Sequence, residues 1–309
     1  MDVVAEVVRS GLVESRHRGV AVGVDADGEV TWSLGDPSTV VFPRSANKPF
    51  QALGMLRLGL PLDGADLALA SASHSAEPFH VDGVRSILVR AGLDESALQT
   101  PPSYPLDGHE HAEVLRRGGT RDPLFMDCSG KHAAMLLTCV TNGWSTHDYL
   151  DPEHPLQVGI TETFTELVGG PPDAVGTDGC GAPLLATPLS HLARGIGALR
   201  RGAPGSAEAR LVSAMTEHPQ WVSGTRRDDL ALVRDVPGAL VKSGAESVLV
   251  VGLPDGRAFA LKIEDGAERP LFVVMRRILE LHGVGAPGLV RPPVVLGGGQ
   301  PVGEVRPAF

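Results

Sequence analysis

Two serine–lysine combinations in this chain have the residue types and spacing that nucleophilic chemistry needs. In RSANKPFQAL, Ser45 stands three residues before Lys48, and Pro49 follows at once. Proline is tolerated in a helix's first turn, where its missing N–H loses no bond, so a helix is expected to open near Asn47. Residues i and i+3 are helix neighbours, which would set the Ser45 hydroxyl beside the Lys48 amine. A serine hydroxyl attacks only when a base takes its proton. An amine can serve once burial or a nearby cation lowers its pKa from about 10.4. Backbone N–H groups at the helix start would steady the oxyanion that forms. The spacing alone is unspecific, because a capping serine followed by a solvated lysine gives the same string.

Two further segments sharpen it. ASASHSAEP supplies Ser73, His74, Ser75 and Glu77 after DLALA, which reads as a strand. ALVKSGAES places Lys242, Ser243 and Gly244 on a predicted strand. A Ser-x-x-Lys, a second serine element and a Lys-Ser-Gly, in that order, line one cleft in the penicillin-recognising serine enzymes. A lone strand lysine would otherwise be a solvent-edge residue.

A second cluster is polar and thiol-rich. FMDCSGKHAAM carries Cys128, Lys131 and His132, and GTDGCGAPL carries Asp178 and Cys180. Two cysteines from separate loops could share a soft cation such as zinc, or could be buried structural thiols. A lysine ligand must be neutral, so binding there would displace a proton and weaken in acid. His132 and Asp178 are alternative donors or substrate contacts. Cys139, among apolar helix residues, belongs to the core. His109 and His111 in HEH lack the HExxH frame of a helical metal site.

The elements that must position these residues follow from pattern and composition. The chain has 309 residues, 42% hydrophobic, with 38 glycines and 25 prolines, which fits many tight turns around an Ala/Val/Leu core. A formal net charge of −10 and only 4% aromatics argue against nucleic acid as a partner. The short basic strings at Arg16–Gly19 and Arg116–Gly119 read as solvated loop or helix-end charges. No signal peptide or membrane-spanning run is visible, and three cysteines form no even disulfide framework, so a soluble cytoplasmic protein is expected.

GVAVGVDADGEVTWSLGD alternates and turns at Asp27-Gly28, and ESVLVVGLPDGRAFALKIED repeats the pattern around Pro254-Asp255-Gly256. A terminal helix should follow in RPLFVVMRRILELHG. Between these ends the pattern is mostly helical. The expected fold is α/β: an antiparallel sheet from both chain ends (about 1–44 and 235–309) with a terminal helix, beside a mainly helical lobe (about 45–234). The two lobes would form one catalytic unit with a site at their seam.

Taken together, RSANKPFQAL, SASHSAEPFH, CSGKHAAML, GTDGCGAPLLATPLSHLARG and VKSGAE resemble the rhizobial-type L-asparaginase family, also called the asparaginase II family. The resemblance implies a serine β-lactamase/glutaminase-like fold and two serine–lysine pairs. The first falls on Ser45 and Lys48; the second falls on Ser75 and Lys242, with Ser73 the alternative serine. It implies pocket residues at Glu77, His132 and Asp178, and zinc ligands at Cys128, Lys131 and Cys180, the metal tuning substrate binding. It also implies a homodimer. One departure stands out, since Ala76 in HSAE replaces an expected glycine.

The implied reaction is hydrolysis of L-asparagine to L-aspartate and ammonia through an acyl-enzyme. A neutral Lys48 would take the Ser45 proton, and Ser75 and Lys242 would relay protons. Glu77 and Asp178 would hold the substrate ammonium, and Arg44 or Lys131 its carboxylate. The rivals are a β-lactamase-like serine hydrolase and a zinc-dependent binding protein without turnover.

Overall fold

The computed structural model describes residues 1–309 except Ala286, Pro287 and Leu289. In chain order the strands are β1 (Asp2–Arg9), β2 (Leu12–Val24), β3 (Val30–Leu34), β4 (Val40–Val41), β5 (Ala174–Thr177), β6 (Pro183–Pro188), β7 (Leu240–Gly244), β8 (Val248–Gly252), β9 (Ala258–Ile263), β10 (Val294–Gly297) and β11 (Gln300–Pro307). The α-helices are α1 (Lys48–Arg57), α2 (Gly64–Ala70), α3 (Pro78–Arg90), α4 (Gly108–Arg116), α5 (Ser129–Asn142), α6 (Pro155–Val168), α7 (Leu189–Arg200), α8 (Ala207–Glu217), α9 (Pro219–Val222), α10 (Asp228–Asp235) and α11 (Leu271–Leu281). The chain divides into a sheet unit (Met1–Ala46, Ala186–Arg201, Ala231–Phe309) and a helical unit (Asn47–Leu185, Gly202–Leu230).

The sheet unit carries an eight-stranded antiparallel sheet in the order β10-β11-β1-β2-β9-β8-β7, with β3 also on β2. The chain ends meet in it, Ala5 opposite Pro307 and Val7 opposite Val305. The expected turns are present, and both need glycine, because Gly28 and Gly256 have φ of 87° and 91°. Alternation sends Val241, Leu249 and Val251 into a core with Val274, Ile278 and Leu279 of α11. The opposite face meets α7, where a Cβ on Gly252 would stand 2.9 Å from Ile196.

The helical unit is built around α5, buried from Ser129 to Cys139. Its helices approach closely at glycines. A Cβ on Gly130 would lie 2.6 Å from the Leu69 carbonyl oxygen, and one on Gly54 2.9 Å from Ile160 Cα. α5 and α6 both end on left-handed glycines, Gly143 and Gly169.

Four expectations are corrected. DLALA is not a strand but lies in α2, where Leu67, Ala68, Leu69 and Ala70 are buried. An apolar run this short fits either element, and the surrounding helices decide it. The helix after Pro270 is not terminal, since β10 and β11 follow it and complete the sheet. The helical stretch Leu189–Arg200 belongs with the sheet, because Leu192, Ile196 and Leu199 bury their side chains on the α7 side. Arg16 and Arg18 lie in β2 rather than a loop, Arg16 paired with Glu6. Among the described residues no helix is long and apolar enough to cross a membrane.

Candidate active site

In the sheet unit Ser45 sits in a 3-10 turn, Arg44–Asn47, that runs into α1 at Lys48. The turn begins with Arg44 in the left-handed region, φ 51°. Lys242 lies on β7 opposite Val250 and is fully buried. Opposed residues share a face and a strand repeats every two, so Lys242 and Gly244 point the same way. That face abuts the serine turn, because a Cβ on Gly244 would stand 3.0 Å from the amide nitrogens of both Ser45 and Ala46. The Lys242 Nζ donates to the Ser243 carbonyl at 2.8 Å.

In the helical unit Lys48 is 1% exposed. Its Nζ donates to the Ala72 carbonyl at 2.6 Å, the Ser73 hydroxyl at 2.9 Å and Asp127 Oδ2 at 3.2 Å. Burial pulls the Lys48 pKa down, but Asp127 and then Cys128 oppose it, and the net direction is upward. That direction favours the ammonium form of Lys48, whereas a neutral amine is expected from the sequence. The serine it touches is Ser73. Ser75, fully buried, donates instead to the Ser223 carbonyl at 2.8 Å.

Cys128 and Cys180 pack together in one buried cluster with Ala182, and the Lys131 Nζ stands 3.2 Å from Cys180 Sγ. A hydrogen bond from Cys128, with the Lys131 charge, holds the Cys180 pKa far below the usual thiol range. That same bond, with burial, pushes the Cys128 thiol well up. Burial lowers the Lys131 pKa, but Cys180, Cys128 and Asp178 outweigh it, so the amine is charged. The His132 Nδ1 meets the Tyr149 hydroxyl at 2.8 Å, while its buried Nε2 has no hydrogen-bond partner. Burial lowers the His132 pKa against the pull of Cys180.

The two thiols and the amine, Cys128, Cys180 and Lys131, are donors of the kind that suits a soft divalent cation such as zinc. Without the lysine no such set exists, since no three His, Cys, Asp or Glu side chains among the described residues gather as a metal site. HEH opens α4, with His111 stacked on Tyr104. Cys139 is buried, its pKa pushed up to about 12 by desolvation.

The remaining expected residues differ in their freedom to meet a substrate. Glu77 is engaged by its own chain: Oε1 accepts the Thr225 N–H and Oε2 the Thr225 hydroxyl, each at 2.7 Å. Asp178 is half-buried and accepts the Gly179 N–H at 2.8 Å. Two residues are given no role in the sequence, Asp127 and Thr225, and His74 is named there without one. His74 is buried, with Nε2 donating to the Ser129 hydroxyl at 2.8 Å and Nδ1 accepting the Ala76 N–H at 3.1 Å. The tautomer follows from Ser129, whose own proton goes to the Leu124 carbonyl.

A buried amine bonded to a serine hydroxyl, on a fold of antiparallel sheet and helices, is the equipment of a serine–lysine hydrolase. The chain belongs to the L-asparaginase II family, whose model matches residues 5–307, and this makes it an amidohydrolase. No curated protein matches it. Similar solved structures include a beta-lactamase from Mycobacterium bovis, at 14% identity and a TM-score of 0.49, covering 85% of this chain and 94% of that one. A Bacillus glutaminase has 11% identity and a TM-score of 0.44, covering 87% and 92%. The protein Mglu has 13% identity and a TM-score of 0.40, covering 87% of this chain, which spans 62% of Mglu.

Proposed function

We propose that the protein hydrolyses L-asparagine to L-aspartate and ammonia through an acyl-enzyme on Ser45, acting as one catalytic unit. The observation that carries this reading is the buried Lys48–Ser73 contact at 2.9 Å, in a chain of the L-asparaginase II family. The lysine roles change from those expected. A lysine held as an ammonium is a proton donor, so Lys48, through Ser73, delivers the proton to the departing nitrogen. Lys242, on the strand face beside the Ser45 turn, accepts the Ser45 proton. Ser45 Oγ then bonds to the side-chain amide carbon, and a backbone N–H of the turn steadies the oxyanion. The C–N bond breaks as the nitrogen gains its proton, and water cleaves the resulting ester.

Asp178 pairs with the substrate ammonium and Arg44 with its carboxylate. Glu77, held by Thr225 on both oxygens, and Ser75, held by the Ser223 carbonyl, shape the pocket. Cys128, Lys131 and Cys180, with His132 beside them, would hold a zinc ion. Bound there, the ion would supply a fixed positive charge that tunes substrate affinity. A lysine ligand binds as the neutral amine, so uptake would release a proton and affinity would fall in acid. We extend the reading to a homodimer, as the family resemblance implies.

Ammonia release by Ser45→Ala tests the nucleophile. A loss of about 10⁴-fold in kcat is expected, and near-normal turnover would remove Ser45 from the role.

A further inference from the structure

Asp127 lies within FMDCSGKHAAM without being one of its expected site residues, yet it touches two of the clusters that the sequence motifs form. An ammonium has three N–H donors, and the acceptors of Lys48 are the Ala72 carbonyl, the Ser73 hydroxyl and Asp127 Oδ2. Two of these are neutral and one is charged. A charge-assisted bond is about twice as strong as a neutral one, so the carboxylate governs where the ammonium rests. Lys48 is 1% exposed and the Asp127 side chain 23%, so the pair is largely shielded from water.

Asp127 is itself fixed to the segment that carries Ser73. Its carbonyl accepts the His74 N–H at 3.1 Å. His74 then reaches Ser129, two residues after Asp127, through its ring. The turn 127–129 and the turn 73–76 are thus tied at two points. On its other side, the carboxylate oxygens lie 3.8 and 3.7 Å from Cys128 Sγ.

We infer that Asp127 is a positioning residue that holds the Lys48 amine against the Ser73 hydroxyl and links that pair to the Cys128–Cys180 cluster. The inference rests on the proposed amidohydrolase chemistry for its effect on rate, but not for its geometry. A displaced Cys128 would move the carboxylate, and the carboxylate would move Lys48.

The test pairs Asp127→Asn and Asp127→Ala with Lys48→Met. Misplacement by about 1 Å can cost 10²-fold in rate, so kcat on L-asparagine should fall about 10- to 100-fold in either Asp127 variant. KM should stay within about twofold, because the substrate's own contacts are untouched. Asp127→Glu, which keeps the carboxylate, should recover part of the rate lost in Asp127→Ala. In urea unfolding, Asp127→Asn should lower the midpoint in the parent chain and lower it less, or raise it, when residue 48 carries Met. That non-additivity is the signature of a direct pair. An unchanged kcat, or additive unfolding, would overturn the inference. Should the parent chain release no ammonia from L-asparagine, the L-asparagine reading falls, and the unfolding cycle alone decides whether Asp127 positions Lys48.

Discussion

Each unit of the chain presses a glycine against a serine of the candidate site, and the two contacts differ in kind. On β7 of the sheet unit, a Cβ at Gly244 would stand 2.6 Å from the Pro43 carbonyl and 3.0 Å from the nitrogens of Ser45 and Ala46. These are all main-chain atoms. In the helical unit, a Cβ at Gly224 would stand 2.2 Å from the Ser75 hydroxyl and 2.8 Å from Glu77 Oε1, both side-chain atoms, and Gly224 has φ 139°. Ser45 is therefore set by a strand lying against a turn, which no neighbouring side chain can relax. Ser75 is set by hydrogen bonds to the Ser223–Thr225 segment, which side-chain changes can loosen.

The largest expected effects break this comparison directly. Gly244→Ala forces main chain against main chain, and should cost about 3 kcal/mol or more with loss of most activity. Gly224→Ala should cost about 2 kcal/mol from clash and backbone strain together. Adding Ser75→Ala should return about 1 kcal/mol in the Gly224→Ala chain, because the closest atom is removed. The same addition should return nothing in Gly244→Ala. Urea unfolding of the four chains reads all of this, and equal relief in both would erase the distinction between the two units.

Acid should separate the units next. His80, fully buried in α3, has its pKa lowered from 6.5 to about 4, mainly by desolvation. Its folded pKa is below the unfolded value, so between pH 6.5 and 4 the unfolded chain binds the proton that the native one refuses. The stabilisation is whole above pH 6.5 and is lost as pH falls towards 4, about 3 kcal/mol in total. Burial also lowers the pKa of His74, which stacks on His80, so its contribution has the same sign. Hydrogen exchange at pH 7 and 4.5 should show amides of α3 and α5 losing protection more than those of β8 and β9. His80→Gln should flatten that difference, and uniform loss in both units would contradict it.

Much of this arrangement could be read from local pattern. Gly28 and Gly256 mark hairpin turns in the sequence, and their positive φ values in the structure, 87° and 91°, suit glycine. Lys242 was placed on a strand by its apolar neighbours, and β7 is that strand. What could not be read lies in contacts across the chain. Ser73 and Ser75 are two residues apart in an irregular segment, and nothing in that spacing says which meets an amine brought from 25 residues away. Thr225 bonds to both carboxylate oxygens of Glu77 across 148 residues, a contact that no local pattern announces. Asp127 drew no role from its position before Cys128, and only the fold brings Lys48 to it. DLALA failed for the opposite reason, being local but too short to show a period.

The smallest effect bears on the one position where the chain departs from the expected family pattern. Ala76 follows Ser75 with φ 56°, a left-handed conformation that costs a non-glycine residue about 1 kcal/mol or more. Glycine would remove that strain but lose more freedom on folding, so Ala76→Gly should stabilise the protein by only about 0.5 kcal/mol. The methyl is not idle, because it lines a cavity of about 430 Å³ with Val81, Val114 and Phe125. Its N–H is also held by His74, so the backbone should stay in place when the methyl goes. A small rise in urea midpoint with kcat unchanged would place the strain in the turn alone. A fall in the midpoint would mean that the methyl's packing against the cavity wall outweighs the strain, and that the helical unit gains stability from the residue that bends it.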